Sequence, residues 1–415
     1  MRILLIAHKV PYPPRGGATL RNFNLLKECS RDVEIHFVAF TQEPYLRDPA
    51  KLNESIEVLK QYCRDVKVFT IPTDKSKLSW YALLLLNLFS PTPYSCWRFW
   101  SKEMAREVKR QLARFEFDAV EIGCISLFKF KRLVGSLPKL IIHHNVESQL
   151  LFRRARAEKR PWAKAYLALQ ASKLRRLEEK SARIFEYHTT VSELDKETLL
   201  GISPDFKIQV VENGTDPDFF KPLDLSGEAD TLVFAGGMSW YPNSQAMIYF
   251  ANEIWPLIKK EVPGIRMNLV GGNPPAELIA FGKDEPAFKV WGMVDDVRPL
   301  IDQAAVYVVP IMVGGGTRLK ILDAMAMGKA IVSTSIGCEG IEVADGHNIM
   351  IADDPEAFAA STVQLLRDPQ LRCRLGENAR RTAIERYSWK SIAPKLLRVY
   401  THLAELKRRP SPERI

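Results

Sequence analysis

The residue types best suited to chemistry lie between Val308 and Gly340, where the chain reads V-V-P-I-M-V-G-G-G-T-R-L-K-I-L-D-A-M-A-M-G-K-A-I-V-S-T-S-I-G-C-E-G. Gly314, Gly315 and Gly316 precede Thr317, Arg318 and Lys320. Glycine has no Cβ, so its backbone N–H groups can come close to an anion, and a following helix N-terminus adds roughly half a unit of positive charge. The pattern opens a helix at Thr317, which puts Arg318 and Lys320 in its first turn, where cations oppose the helix dipole. A bound polyanion supplies a reason to keep them there. Asp323, about one and a half turns further on, is a carboxylate suited to a pair of sugar hydroxyls, much as acidic groups serve riboses. The competing reading is a plain tight turn with solvated charges.

Other residues could share in such a site. The apolar run Leu140–His144 ends in H-H-N-V-E, so His143, His144, Asn145 and Glu147 gather at one strand end. Open α/β sheets bind ligands at the carboxyl ends of their strands. A single histidine there commonly serves as a structural hydrogen bonder, whereas four polar groups together point to a site. Two further glycine turns, Gly16-Gly17 and Gly236-Gly237, each follow a short apolar run. Gly16-Gly17 lacks the G-x-G-x-x-G spacing, so a dinucleotide fingerprint is not supported.

These groups need elements to position them. Ala305–Pro310 and Ala330–Ser333 read as buried parallel strands around the helix, whose Leu319, Leu322, Ala326 and Met327 form one apolar face. Met1–Ala7, a helix over Thr19–Cys29 and a strand Val33–Phe40 open the chain as βαβ, the start of a doubly wound parallel sheet. Further strands are expected at Val66–Thr70, Ala119–Glu121, Leu140–His144, His188–Ser192 and Lys207–Glu212. After turn signals at Asn213-Gly214 and Asp216-Pro217, a polar linker at Leu223–Asp230 leads to a new strand, Thr231–Phe234. A chain of 415 residues is too long for one core. The expected division is an N-terminal domain over 1–222, a C-terminal domain over 223–386 and a final helix over 387–415 that returns to the first domain.

Composition narrows the function classes. The six cysteines have no metal spacing and read as reduced cytosolic thiols. No metal site and no cofactor are expected, and neither is a nucleic-acid partner. The apolar start Met1–Ala7 is too short for a signal peptide, and the longest apolar run, Leu78–Phe89, cannot span a bilayer. Residues 1–200 hold 35 basic against 22 acidic side chains, while the rest holds 24 against 27. The positive excess therefore belongs to the first half, which points that half towards an anionic surface or acceptor. Residues 151–183 are helical and very basic, with a break at Pro161. They read either as a solvated charged face or as a helix lying on anionic lipid, and the Leu78–Phe89 run either as lipid contact or as a buried helix.

Several motifs fall in the order of a known family. P-Y-P-P-R-G-G-A-T-L-R, H-H-N-V-E, T-T-V-S, V-E-N-G-T-D, F-A-G-G-M, G-M-V-D-D-V, G-G-G-T-R-L-K-I-L-D-A-M-A-M-G and Y-S-W run through nearly the whole chain. The chain resembles the retaining glycosyltransferases of family 4, glycosyl transferases group 1, and within them the exopolysaccharide-type sugar transferases. The resemblance implies an α/β protein of the GT-B fold, two Rossmann-like doubly wound domains facing a central cleft. It implies a nucleoside-diphosphate-sugar as substrate, with transfer to a lipid-linked or polysaccharide acceptor by a cytoplasmic enzyme peripheral to the inner face of the cell membrane.

Carried over by position, the ribose-binding carboxylate falls on Asp323. The family's other donor-site carboxylate, with seven residues between the two, falls on Gly315, so that carboxylate is missing. Its usual Arg and Lys after the first C-terminal strand fall on Gly237-Met238. Arg318 and Lys320 are then expected to neutralise the diphosphate. Gly16, Gly17, Gly236, Gly237, Gly315, Gly316 and Thr317 would let backbone approach the donor, and His144, catalytic with Arg318 and Lys320, would hydrogen-bond the donor sugar or its leaving oxygen. A nucleotide-sugar epimerase of the same fold and a non-catalytic scaffold are the alternatives.

Overall fold

The computed structural model describes residues 1–14, 16–41, 46, 48–75, 77–225, 227–313 and 318–408. The chain forms two units, Met1–Glu212 with Ala393–Ile415, and Asn213–Ile392. In the first unit the strands are β1 (Arg2–Ala7), β2 (Glu34–Thr41), β3 (Asp65–Thr70), β4 (Ala119–Ile122), β5 (Lys139–Ile142), β6 (Tyr187–Thr190) and β7 (Ile208–Val210). They pair in the order β3-β2-β1-β4-β5-β6-β7, all parallel. Helices lie on both faces of such a sheet, so its strands are apolar on both sides. Ile3, Leu4 and Ile6 of β1 are accordingly fully buried.

The second unit repeats the plan with β8 (Glu228–Ala235), β9 (Arg266–Val270), β10 (Phe288–Gly292), β11 (Ala304–Val309), β12 (Ala330–Ser333) and β13 (Met350–Ile351). Their order is β10-β9-β8-β11-β12-β13, again all parallel. Both units are thus Rossmann-like and doubly wound. In each sheet the connections reverse direction once, between β1 and β4 and between β8 and β11, and ligands of open α/β sheets bind at that reversal.

The helix of the glycine stretch covers Leu319–Ala326 and buries Ile321, Leu322, Ala324, Met325 and Ala326. It begins later than its sequence pattern implies. Arg318 is its N-cap residue with extended φ and ψ, and Lys320 alone of the two cations lies within its first turn. The helix ends at Gly328, whose φ of +68° is the left-handed conformation that closes a helix end. Gly315, Gly316 and Thr317 lie outside the described residues.

The division between units falls ahead of the polar stretch Leu223–Asp230. Thr215 N donates to Tyr387 O at 2.8 Å, and Thr215 pairs with Ser388 in an isolated parallel bridge, which ties the turn after Glu212 to the second unit. Tyr387, Ser388 and Trp389 also stay with that unit, and the chain rejoins the first at Ala393. There Tyr400 Oη donates to Glu121 Oε2 at 2.5 Å and Lys395 Nζ to Glu212 Oε1 at 2.6 Å. The basic stretch forms two helices, Glu147–Ala157 and Pro161–Ser181, with Pro161 opening the second.

Candidate functional site

In the second unit a cavity of about 300 Å³ opens at the carboxyl ends of β8 and β9, on the reversal point of the sheet. Two backbone turns form its floor, Gly236-Gly237 after β8 and Gly271-Gly272 after β9. Gly236 N donates to Val270 O and Met238 N to Gly272 O, so the two turns brace each other. Tyr307 of β11 fixes the first of them: its hydroxyl contacts both Ala235 N and Ala235 O, at 3.2 and 3.1 Å.

Lys320 and Asp323 enter this cavity from the Leu319–Ala326 helix. They are three residues apart, so they share one helix face. Asp323 Oδ1 accepts a hydrogen bond from Thr215 Oγ1 at 2.7 Å. Burial pushes the Asp323 carboxyl up to about 7, against the opposing pull of the Thr215 hydroxyl. Lys320 Nζ donates to the neutral amide oxygen of Asn243 at 2.6 Å and stands 4.2 Å from the Phe234 ring centroid. Burial brings the Lys320 ammonium down to about 7, and the Arg318 charge adds to the shift. Arg318 is 8% exposed, and burial lowers its guanidinium below the ordinary value while Glu339 opposes. It is not among the described residues lining the cavity, but its charge is felt at Lys320.

An amine destabilised by burial, at which a further positive charge is felt, suits a negative ligand. A phosphate group would restore the full charge of Lys320. Asp323 supplies the complement, a carboxylate with one oxygen held by Thr215 and room for a hydroxyl donor.

Of the residues singled out in the sequence, Gly236, Gly237, Lys320 and Asp323 come together here. Sequence reasoning did not assign Thr215, Asn243, Tyr307 or the Gly271-Gly272 turn to the site. The motif V-E-N-G-T-D contained Thr215, but nothing in its local pattern said that its hydroxyl meets a carboxylate far along the chain.

The other described candidates belong to the first unit. His144 stands just beyond β5 and His8 just beyond β1, with ring centroids 6.0 Å apart. Burial holds His144 well below the usual imidazole range and His8 at about 4. Burial thus keeps both rings neutral, and among the described residues the buried His144 Nε2 and His8 Nδ1 have no hydrogen-bond partner. His8 was not foreseen. The four polar groups of H-H-N-V-E do not converge: His143 turns into the core and pairs with His188 at 3.1 Å, and Asn145 is exposed. Glu147 accepts from Ser126 Oγ at 3.3 Å, and burial together with Glu178 raises it to about 7. Gly16 caps the helix Gly17–Cys29, its N–H donating to Thr19 Oγ1 at 3.0 Å.

Residues 229–368 match the protein family described as Glycosyl transferases group 1. The MMP α-(1→4)-mannosyltransferase of Mycolicibacterium hassiacum is 25% identical over 96% of this chain and 98% of its own length. The phosphatidyl-myo-inositol mannosyltransferase of Mycolicibacterium smegmatis is 27% identical over 46% of this chain and 50% of that protein. The chain spans half or less of the length of the first curated relatives it matches. Among solved structures, Anabaena HepE in complex with UDP superposes with a TM-score of 0.64 and 14% identity, covering 97% of this chain and 100% of that one. The two Rossmann-like units are therefore those of the GT-B fold.

Proposed function

We propose that this chain is a retaining glycosyltransferase that moves a sugar from a nucleoside-diphosphate-sugar to a lipid-linked or polysaccharide acceptor. The observation that carries the reading is the joint approach of Lys320 and Asp323 to one glycine-floored cavity at the reversal point of the second sheet. In this reading Asp323 accepts from the ribose hydroxyls, and Lys320 and Arg318 hold the diphosphate. The backbone turn at Gly236 and Gly237 passes close to it, and the roles expected of Gly315, Gly316 and Thr317 rest on the family resemblance.

The chemistry follows from charge. Breaking the bond between sugar and diphosphate leaves negative charge on the leaving group, and preorganised cations in a desolvated site are commonly the largest catalytic contribution. Lys320 and Arg318 provide them in this proposal without a metal, so turnover should persist in a chelator. The roles expected of His144 at the donor sugar and of Gly16 and Gly17 at the phosphates rest on the family resemblance as well. The retaining outcome and a role in exopolysaccharide synthesis on the inner face of the cell membrane rest on the family resemblance. The names of the two relatives make mannose the first donor sugar to test.

A thermal-shift screen against nucleoside-diphosphate-sugars tests the reading. A ligand at 100 times its Kd adds about 2.7 kcal/mol of stability, and the donor so found should be consumed when lipid-linked or saccharide acceptors are supplied. Proton NMR of the product would report the anomeric configuration. A chain that no nucleotide-sugar stabilises, and that consumes none, would overturn the proposal.

A further inference from the structure

The apolar run Leu78–Phe89 forms a helix, Lys77–Leu86, and a 3₁₀ turn, Asn87–Phe89. It is not a buried helix. Its inner side is fastened to the helix Pro161–Ser181: Gln170 Nε2 donates to Asn87 Oδ1 at 2.9 Å and Lys173 Nζ to Asn87 O at 2.6 Å. Trp80 packs edge-on against Tyr94, ring centroids 5.7 Å apart. The outer side carries Leu78, Tyr81, Leu85, Leu86 and Phe89, with exposures of 78, 66, 64, 71 and 88%. Their spacing places them along one helical stripe. A held helix that is apolar on both its packed and its outer side leaves the outer face exposed among the described residues, and contiguous apolar surface of this kind marks an interaction site.

We propose that this stripe is the surface by which the first unit enters the headgroup boundary of an anionic bilayer. Charge selects lipid over a protein partner. From Lys75 to Lys102 the sequence contains no Asp or Glu, while Lys75, Lys77, Arg98 and Lys102 are basic. Cations also border the aromatic side chains nearby: Arg98 lies 5.2 Å from the Trp80 ring and Lys129 3.7 Å from that of Trp97, itself 44% exposed. Trp162 is 70% exposed beneath the Arg160 guanidinium, at the start of the helix that holds the stripe. Aromatic rings beside apolar side chains suit the membrane–water boundary, and Lys and Arg suit anionic headgroups. No helix among the described residues is long and apolar enough to cross a membrane, so the contact is a shallow one in the interface plane.

The inference deepens the membrane part of the proposed function and stands apart from its transfer chemistry, because nucleotide-sugar binding in solution needs no vesicle. Sedimentation of the full chain with phosphatidylcholine vesicles, with and without phosphatidylglycerol, tests it. The chain should pellet with the phosphatidylglycerol vesicles, and less so as salt is raised. Joint substitution of Leu85→Ser, Leu86→Ser and Phe89→Ser should weaken binding at least about tenfold, with melting temperature unchanged because these side chains already face water. A Leu86→Trp variant should be quenched by brominated lipid. Exposed Ile279→Ser, on the other unit, serves as a control and should bind as the parent does. Failure of the chain to pellet, equal binding by the triple variant, or absence of quenching would overturn the proposal. So would self-association in solution that the triple variant abolishes without any vesicle binding, which would assign the face to a second copy of the chain.

Discussion

The Thr215 hydroxyl donates to Asp323 Oδ1 at 2.7 Å, joining residues 108 positions apart on the two sides of the second unit's sequence. The bond has two effects. It orients the carboxylate, and it stabilises the ionised form against the burial that pushes this group up to about 7. Thr215→Val keeps the shape and removes the donor. Nucleoside diphosphate should then bind about five- to tenfold more weakly, the loss of about one hydrogen bond near 1 kcal/mol. Equal affinity by calorimetry would show that the bond serves the fold alone.

Lys320 gives a proton-linked prediction. In the free chain it sits at about 7, so above neutral pH it is largely neutral. A bound diphosphate raises its pKa, and binding must then take up a proton. Calorimetry at about pH 8 in buffers of different ionisation enthalpy should show uptake approaching one proton, and Lys320→Met should abolish it. The same variant should lose roughly 2–4 kcal/mol of transition-state stabilisation in kcat/KM if the ammonium acts as a preorganised charge. Unchanged uptake and turnover would remove Lys320 from the site.

Much of this arrangement was legible in the sequence because it is local. The strand Ala330–Ser333, the helix carrying Lys320 and Asp323 and the Gly236-Gly237 turn follow from periodicity and from glycine within short windows. Contacts made by tertiary folding were not. The pairing of Thr215 with Asp323 and of Lys320 with Asn243 depends on how β8 and β11 come to lie side by side. The same limit explains His143: a strand-end histidine looks like a site residue until His188 on β6 takes its Nε2. The start of the helix at Leu319 was misplaced because Arg318, with good helix propensity, sits in extended backbone at the cap.

Asp323 also predicts a pH-dependent stability. Its folded pKa is raised from 3.8 to about 7, so the folded chain holds a proton there that the unfolded chain releases. Its contribution to stability therefore falls as pH rises from about 4 to 7 and stays low above that. Asp323→Asn keeps an acceptor oxygen for Thr215 and carries no charge. The variant should be more stable than the parent at pH 8, by roughly 1–3 kcal/mol, with the difference shrinking towards pH 4, while its affinity for nucleotide declines. A stability difference that does not change with pH would mean that the carboxyl is not buried as described.

The two glycine turns should respond differently to an added methyl group. At Gly271 a Cβ would lie 1.9 Å from the carbonyl oxygen of Gly236, and φ there is +154°, so the obstacle is rigid backbone in a conformation that other residues rarely adopt. Gly271→Ala must push the β8 and β9 turns apart, and a loss of roughly 2–4 kcal/mol in unfolding stability is expected. At Gly236 the nearest obstacle is Lys320 Nζ at 2.6 Å, the far end of a flexible side chain. Gly236→Ala should displace the ammonium from Asn243 and leave the backbone in place. Its melting temperature should therefore stay within a few degrees of the parent, while nucleotide affinity and proton uptake fall together. If the Gly236 variant instead unfolds as the Gly271 variant does, the first turn is held by packing alone. Lys320 would then have no privileged place above it.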